Sequence, residues 1–133
     1  MKKVVASLFL LCLCGHAAAG TLYFPQLEKR IRAGDASALR EVLDKTATTS
    51  PGEQLEDLAW LSSLYVKKDP RAFLKEQASR SGCFGVNFLG VDYVDNPKAR
   101  TKELRERRKS LLSVSDANLS TVRQRCIDEL TGS

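Results

Sequence analysis

The chain has 133 residues, 43% of them hydrophobic and 28% charged, with a formal net charge of +5 at pH 7. This length suits one domain with one modest core. No apolar stretch reaches the roughly 20 residues that a bilayer-spanning helix needs, so no membrane span is predicted.

Residues 1–19 have the pattern of a secretory signal peptide. Two lysines follow the first methionine, residues 4–14 are apolar, and Ala17 and Ala19 provide the small residues of a cleavage site. We therefore predict cleavage near Ala19 and a periplasmic or secreted bacterial protein, in which residues 20–133 form a single helical domain.

Export would change the chemistry that is available to the mature chain. Lipid anchoring at Cys12 or Cys14 is disfavoured, because a leucine rather than a small residue precedes each cysteine. Cleavage would also remove His16, the only histidine, together with Lys2 and Lys3. The loss of those two lysines lowers the formal net charge from +5 to +3.

Two cysteines remain after cleavage, Cys83 and Cys126. In an oxidising compartment such a pair predicts one disulfide. The bond would close a loop of 42 residues and, on chain-entropy grounds, stabilise the fold by about 4 kcal/mol at most. The alternative is two buried free thiols.

Helix start and stop signals follow one another closely along the mature chain. Pro25 and Gly34 bracket a first helix, and Asp35 is placed to cap a second. Ser50 and Glu53 have the spacing of a capping box at the start of a third.

The third helix is the best candidate for the centre of the core. Its apolar residues cover most of the helix girth, which is typical of a helix that packs on several neighbours. These residues are Leu55, Leu58, Ala59, Trp60, Leu61, Leu64 and Tyr65.

Three more helices are predicted. The pairs 69–70 and 96–97 each place a capping residue before a proline, and a last helix begins at Ser115 or Asp116 and ends at Gly132. The predicted fold class is therefore all-α, with about six helices in antiparallel pairs. Such pairs resemble the α-hairpin units of HEAT-like helical repeat proteins, which implies a short α-solenoid; an irregular bundle is the alternative.

The stretch SGCFGVNFLGVDYVDN, which ends at residue 96, interrupts the helices, and we expect an ordered loop over 82–96. A loop longer than about 12 residues is uncommon unless it is functional or disordered. It is either a connector with its aromatic residues packed on the core, or a loop that binds a partner. The candidate residues are Phe84, Phe88, Asp92, Tyr93 and Asp95.

The basic helix that follows the loop is the second candidate site, since a basic face could contact an acidic partner. Glu103 and Glu106 interrupt the basic run and it holds no aromatic residue, which argues against nucleic acid. It also lacks the bulky apolar face of a helix that inserts into a membrane. Glu103 and Arg107 form an i,i+4 pair that is typical of a solvated helix. The candidate residues are Lys98, Arg105, Arg107, Arg108 and Lys109.

No catalytic residue, metal site or cofactor is predicted. Without histidine, the mature chain lacks Ser-His and Cys-His nucleophiles and the usual zinc sites. Glu56 and Asp57 are adjacent on a helix and cannot flank one glycosidic bond. Asp92 and Asp95 lack the oxygen spacing of a calcium loop.

We therefore expect a small exported protein that works by binding a protein in the bacterial envelope. An immunity or inhibitor protein of a periplasmic toxin or hydrolase fits the size, the export signal and the missing catalytic groups. The alternatives are a structural or chaperone-like envelope adaptor and a carboxylate-dependent hydrolase of cell-wall glycan. The sequence predicts no oligomeric state.

Overall fold

The structure, a computed structural model, describes residues 23–132, and this part of the chain holds six α-helices and no strand. The all-α prediction is confirmed. The predicted signal peptide, with Cys12, Cys14 and His16, lies outside the described residues. The helices are α1 (Tyr23–Arg32), α2 (Ala36–Thr46), α3 (Glu53–Lys68), α4 (Pro70–Gln77), α5 (Pro97–Leu112) and α6 (Ser120–Thr131), with single 3₁₀ turns at Val91–Tyr93 and Ala117–Leu119.

Three of the predicted helix caps are confirmed. The side chains of Asp35, Asp69 and Asn96 each accept a hydrogen bond from a backbone N–H in the first turn of α2, α4 and α5, at 2.9, 2.9 and 3.0 Å. Gly34 follows α1 with a φ of +88°, a conformation that side chains other than glycine rarely adopt. These local signals fix where the chain turns.

Other helix boundaries differ from the prediction. The capping box at Ser50 and Glu53 is wrong, because α3 begins at Glu53 itself, with Gly52 as the N-cap residue and no side-chain cap. Gly52 has a φ of +138°, so the chain enters the helix two residues after Pro51. The last helix begins later than expected, since a 3₁₀ turn over Ala117–Leu119 precedes it.

The helices pack as stacked α-hairpins. Each helix packs on the helices one and two places away along the chain, and the contact between α4 and α6 is the smallest of these. Thus α1, α3 and α5 lie side by side in one layer, and α2, α4 and α6 in the other. This arrangement is that of a short solenoid, in which each unit contacts its neighbours.

Ion pairs between hairpins support the same conclusion. Arg40 of α2 contacts Glu76 of α4 at 2.8 Å, and Asp44 contacts Arg80 at 2.7 Å; both pairs join residues 36 positions apart. A constant offset means that the two helices run parallel. Lys67 of α3 contacts Glu103 of α5 at 2.6 Å, so an ion pair also joins the second and third hairpins.

Helix α3 is the centre of the core, as its all-round apolar surface predicted. It packs on α1, α2, α4 and α5. Its residues Leu58, Tyr65 and Val66 are fully buried. The buried apolar side chains of all six helices join in one cluster around it.

The predicted disulfide is confirmed. The Sγ atoms of Cys83 and Cys126 lie 2.01 Å apart, and both residues are buried. The bond connects the segment between α4 and α5 to the last helix. It therefore holds the longest connection of the described chain against the core.

Replacing both cysteines by alanine (C83A/C126A) should lower the free energy of unfolding by up to about 4 kcal/mol, because the unfolded chain regains the freedom of the closed loop. Urea unfolding of the oxidised protein and of the variant measures the difference. The reduced wild type serves as the control and should unfold near the variant. Equal midpoints for all three would contradict a stabilising bond.

Candidate functional site: the loop between α4 and α5

The connection between α4 and α5 has two parts with different surroundings. Residues 83–88, the anchored segment, are held by side chains of four helices. Residues 91–95, the loop tip, include the two most exposed large apolar side chains among the described residues. The predicted candidates are divided between these two parts.

The anchored segment is held through its backbone. The N–H of Cys83 donates to both carboxylate oxygens of Glu129 at 2.9 and 3.0 Å. The carbonyl oxygen of Phe84 accepts hydrogen bonds from Ser62 at 2.8 Å and from Gln77 at 2.9 Å. The N–H of Phe84 donates to the side-chain oxygen of Gln77 at 3.2 Å. These contacts satisfy backbone groups that burial would otherwise leave unpaired.

A close backbone approach at Gly85 brings the loop onto α3. Gly85 is buried and has a φ of +82°. A Cβ atom at this position would lie 2.6 Å from the carbonyl oxygen of Ala59 and 2.7 Å from the Cβ of Ser62. Both the backbone conformation and the space therefore require glycine here.

Arg107 is the main side-chain clamp on the loop. It is only 5% exposed, and its Nη1 donates to the carbonyl oxygens of Val86 at 2.9 Å and Phe88 at 2.8 Å. Its Nε donates to Glu103 at 3.0 Å. The expectation that Glu103 and Arg107 lie on a solvated face is wrong, and Arg107 is not part of an exposed basic face.

A second cation completes this ionic network. Lys67 of α3 donates to Glu103 at 2.6 Å and to Glu106 at 3.0 Å. Burial alone would raise the pKa of Glu103, but hydrogen bonds from Lys67 and Arg107 outweigh it and hold that pKa below its ordinary value. The hydrogen bond with Glu103 in turn raises the pKa of Lys67. Glu103 and Lys67 are therefore both ionised at neutral pH.

The loop tip presents apolar side chains to solvent. Val91 is 85% exposed and Val94 is 75% exposed. Val91 lies in the 3₁₀ turn and Val94 follows it directly, and three residues per turn place the two side chains on the same side. Asp92 and Asp95 are exposed beside them, whereas Tyr93 is half-buried.

Two cavities adjoin the tip, and Tyr93 lines both. One has a volume of about 300 Å³ and is lined by Phe88, Val94 and Arg100 among others. The other, of about 250 Å³, lies against Trp60 of α3. Aromatic side chains at such a surface offer apolar area with little conformational freedom to lose.

The two interpretations of the loop thus apply to different parts of it. Phe84 packs against the core, as expected of a connector. Asp92 and Asp95 are exposed, as a binding loop requires. Phe88 and Tyr93 are half-buried and so fit either interpretation in part. Val91 and Val94 were not predicted as candidates, because an alternating apolar pattern does not show which valines are buried.

The basic helix α5 exposes the remaining candidates of the second site. Lys98, Arg105, Arg108 and Lys109 all point to solvent. They lie outside the ionic network that holds the loop.

Within residues 23–132, no three His, Cys, Asp or Glu side chains gather in a group that could hold a metal ion. None of the helices in that range combines the length and the hydropathy of a membrane-spanning segment. Comparison with protein-family models, with curated proteins and with solved structures finds no significant match. Inferences about function therefore depend on the geometry of the molecule.

Replacement of Arg107 by alanine should lower the free energy of unfolding by about 3 kcal/mol, because it leaves a buried carboxylate short of a partner and two carbonyl oxygens without a donor. Replacement of the neighbouring Arg108, which is exposed, should change it by less than about 0.5 kcal/mol. Urea unfolding of both variants provides the comparison. Similar midpoints for the two variants would contradict the clamp.

The ionised state of Glu103 predicts a dependence on pH. Because its pKa is lowered on folding, the stabilisation is present above the ordinary value of 4.5 and is lost as pH falls below it, through the folded pKa. The stability difference between wild type and Glu103→Gln should therefore be large at neutral pH and small in strong acid. Chemical denaturation at both pH values measures it.

Glu106→Gln is the matched control for this experiment. Glu106 contacts the same lysine, but its side chain is 44% exposed. Its stability difference from wild type should be small at both pH values. A difference for Glu103→Gln that does not change with pH would show that the carboxylate is not held in its ionised form.

Proposed function

We propose that this is an exported helical protein that acts by binding a partner protein through its loop tip. In this role it resembles an immunity or inhibitor protein that blocks a toxin or hydrolase in the bacterial envelope. The observation that carries the proposal is the exposure of Val91 and Val94 on a loop that is otherwise firmly held.

The chemistry of the tip fits a protein partner. Two adjacent apolar side chains, Val91 and Val94, would enter an apolar pocket of the partner. Asp92 and Asp95 would remain at the rim, where polar groups surround the apolar centre of most interfaces. The half-buried ring of Tyr93 lines the two cavities beside the tip.

The rigidity of the support favours binding by occlusion. The disulfide, Gly85 and Arg107 fix the segment that leads into the tip. A preorganised loop loses little conformational entropy when it binds, so a small apolar area can give useful affinity. Blocking a cleft needs only such a fixed projection and no catalytic group.

A disulfide is also what an oxidising compartment such as the periplasm allows to persist. The bond between Cys83 and Cys126 is therefore compatible with export. The signal-peptide pattern of residues 1–19 remains the sequence argument for it.

The test is quantitative pull-down from the envelope fraction of the native host with tagged wild type, V91D/V94D and Leu112→Asp. Leu112 is the third exposed large apolar residue of the described chain, at 48%, and lies away from the tip on α5. A stoichiometric partner should be captured by wild type and by the Leu112 variant. Its capture by V91D/V94D should fall at least about tenfold.

Thermal unfolding should be nearly the same for all three proteins, since every substituted side chain is exposed. Equal capture by V91D/V94D and wild type would exclude the loop tip as the binding surface. The absence of any stoichiometric partner in the wild-type sample would contradict the proposal as a whole.

A further inference from the structure

The side of helix α5 that faces away from the loop and the core is exposed. The buried residues of the helix, Glu103, Arg107 and Leu111, recur every four positions and face the protein. The opposite side carries Lys98, Lys102, Arg105 and Lys109, which we call the cationic row; all four are exposed. At 100° and 1.5 Å per residue, they fall within roughly 60° of one another along about 16 Å of helix.

The two glutamates of α5 do not neutralise this row. In the sequence, Glu103 and Glu106 interrupt the basic run. In the structure both carboxylates bond to Lys67 of α3, at 2.6 and 3.0 Å. Within residues 23–132, the row forms one ion pair, between Lys102 and Glu106. Its distance of 4.0 Å is longer than that of either contact with Lys67.

The position of α5 in the stack leaves the row open. Helix α5 belongs to the last described hairpin and packs on α3, α4 and α6. Its outer side faces away from all three helices. The row is thus a straight, uncovered line of positive charge on an end surface of the solenoid.

We infer that the cationic row docks the protein on an anionic lipid surface, through contact of the cations with headgroups and without insertion of the helix itself. A flat array of negative charge is the complement of a straight row of flexible cations, and each Lys or Arg near such a surface strengthens binding roughly fivefold. The row carries no aromatic anchor of the kind that dominates protein–protein hot spots.

Leu112 favours lipid over nucleic acid as the source of the negative charge. It is 48% exposed and, by helical spacing, lies on the side of the row, one turn beyond Lys109. An exposed leucine in line with the cations gains from a surface that has an apolar layer beneath its charges. A phosphate backbone in water offers no such layer.

The experiment is co-sedimentation of the purified protein with vesicles of phosphatidylcholine alone and of phosphatidylcholine with one quarter phosphatidylglycerol. Wild type should sediment with the anionic vesicles at low salt and be released at about 0.5 M salt. The variant K102Q/K109Q should bind about 30-fold more weakly, from the loss of two cations.

The control is K29Q/K75Q, which removes the same charge from exposed positions on α1 and α4. It should bind within about twofold of wild type. If both double variants lose the same amount of vesicle affinity, binding depends on net charge and not on the cationic row, and the inference is overturned. Equal binding to both kinds of vesicle, or none to the anionic ones, would also overturn it.

A competition arm separates lipid from other polyanions. At the same low salt, a DNA duplex and a hexaglutamate peptide are titrated against the vesicle-bound protein. Retention on the vesicles at matched charge concentration supports a lipid surface. If a competitor instead displaces the protein from the vesicles, and K102Q/K109Q weakens binding to that competitor about as much as binding to the vesicles, the row binds that polyanion and not lipid.

Discussion

The buried guanidinium of Arg107 fixes the positions of α5, of the loop between α4 and α5 and, through Glu103, of α3 relative to one another. It connects α5 to the loop through two carbonyl oxygens and to Glu103 through a charged hydrogen bond, while Lys67 ties the same carboxylate to α3. Burying charges is costly, and a well-packed apolar group often gives equal stability. The value of this network is therefore positional, because hydrogen bonds fix the loop backbone at a defined distance from two helices.

The same network explains why α5 is so polar. A helix at the end of a stack covers its neighbours on one side only, and terminal repeats of solenoids have polar outer surfaces. Helix α5 goes further, since its inner side also carries two charged residues, Glu103 and Arg107, with Leu111 as its one buried apolar residue. Its apolar pattern is therefore weak, although it is firmly packed on α3 and α6.

The elements that local chemistry specifies were predictable. Asp35, Asp69 and Asn96 cap their helices as expected, and the cysteine count led to the disulfide. The burial of Arg107 was not predictable, because its acceptors lie 21 and 19 residues away in a loop without regular structure. In a run of charged residues no local signal separates the buried arginine from its exposed neighbours. The burial of Arg107 depends on which side of α5 packs against α3, that is, on the register of α5.

Two surfaces with different chemistry follow from that single register. When Arg107 faces inward, Glu103 faces Lys67, and the lysines and arginine on the opposite side of α5 face solvent. The nearest carboxylate, that of Glu106, lies 4.0 Å from Lys102 and bonds to Lys67 at 3.0 Å. The anchored segment that Arg107 holds is followed, after two residues, by the loop tip, where Val91 and Val94 are exposed, whereas Val86 of the anchored segment is buried in the core. The buried side chain of Arg107 thus fixes both the segment that precedes the apolar tip and the side of α5 that carries the cationic row, and a change there would disturb the first while leaving the charges of the second in place.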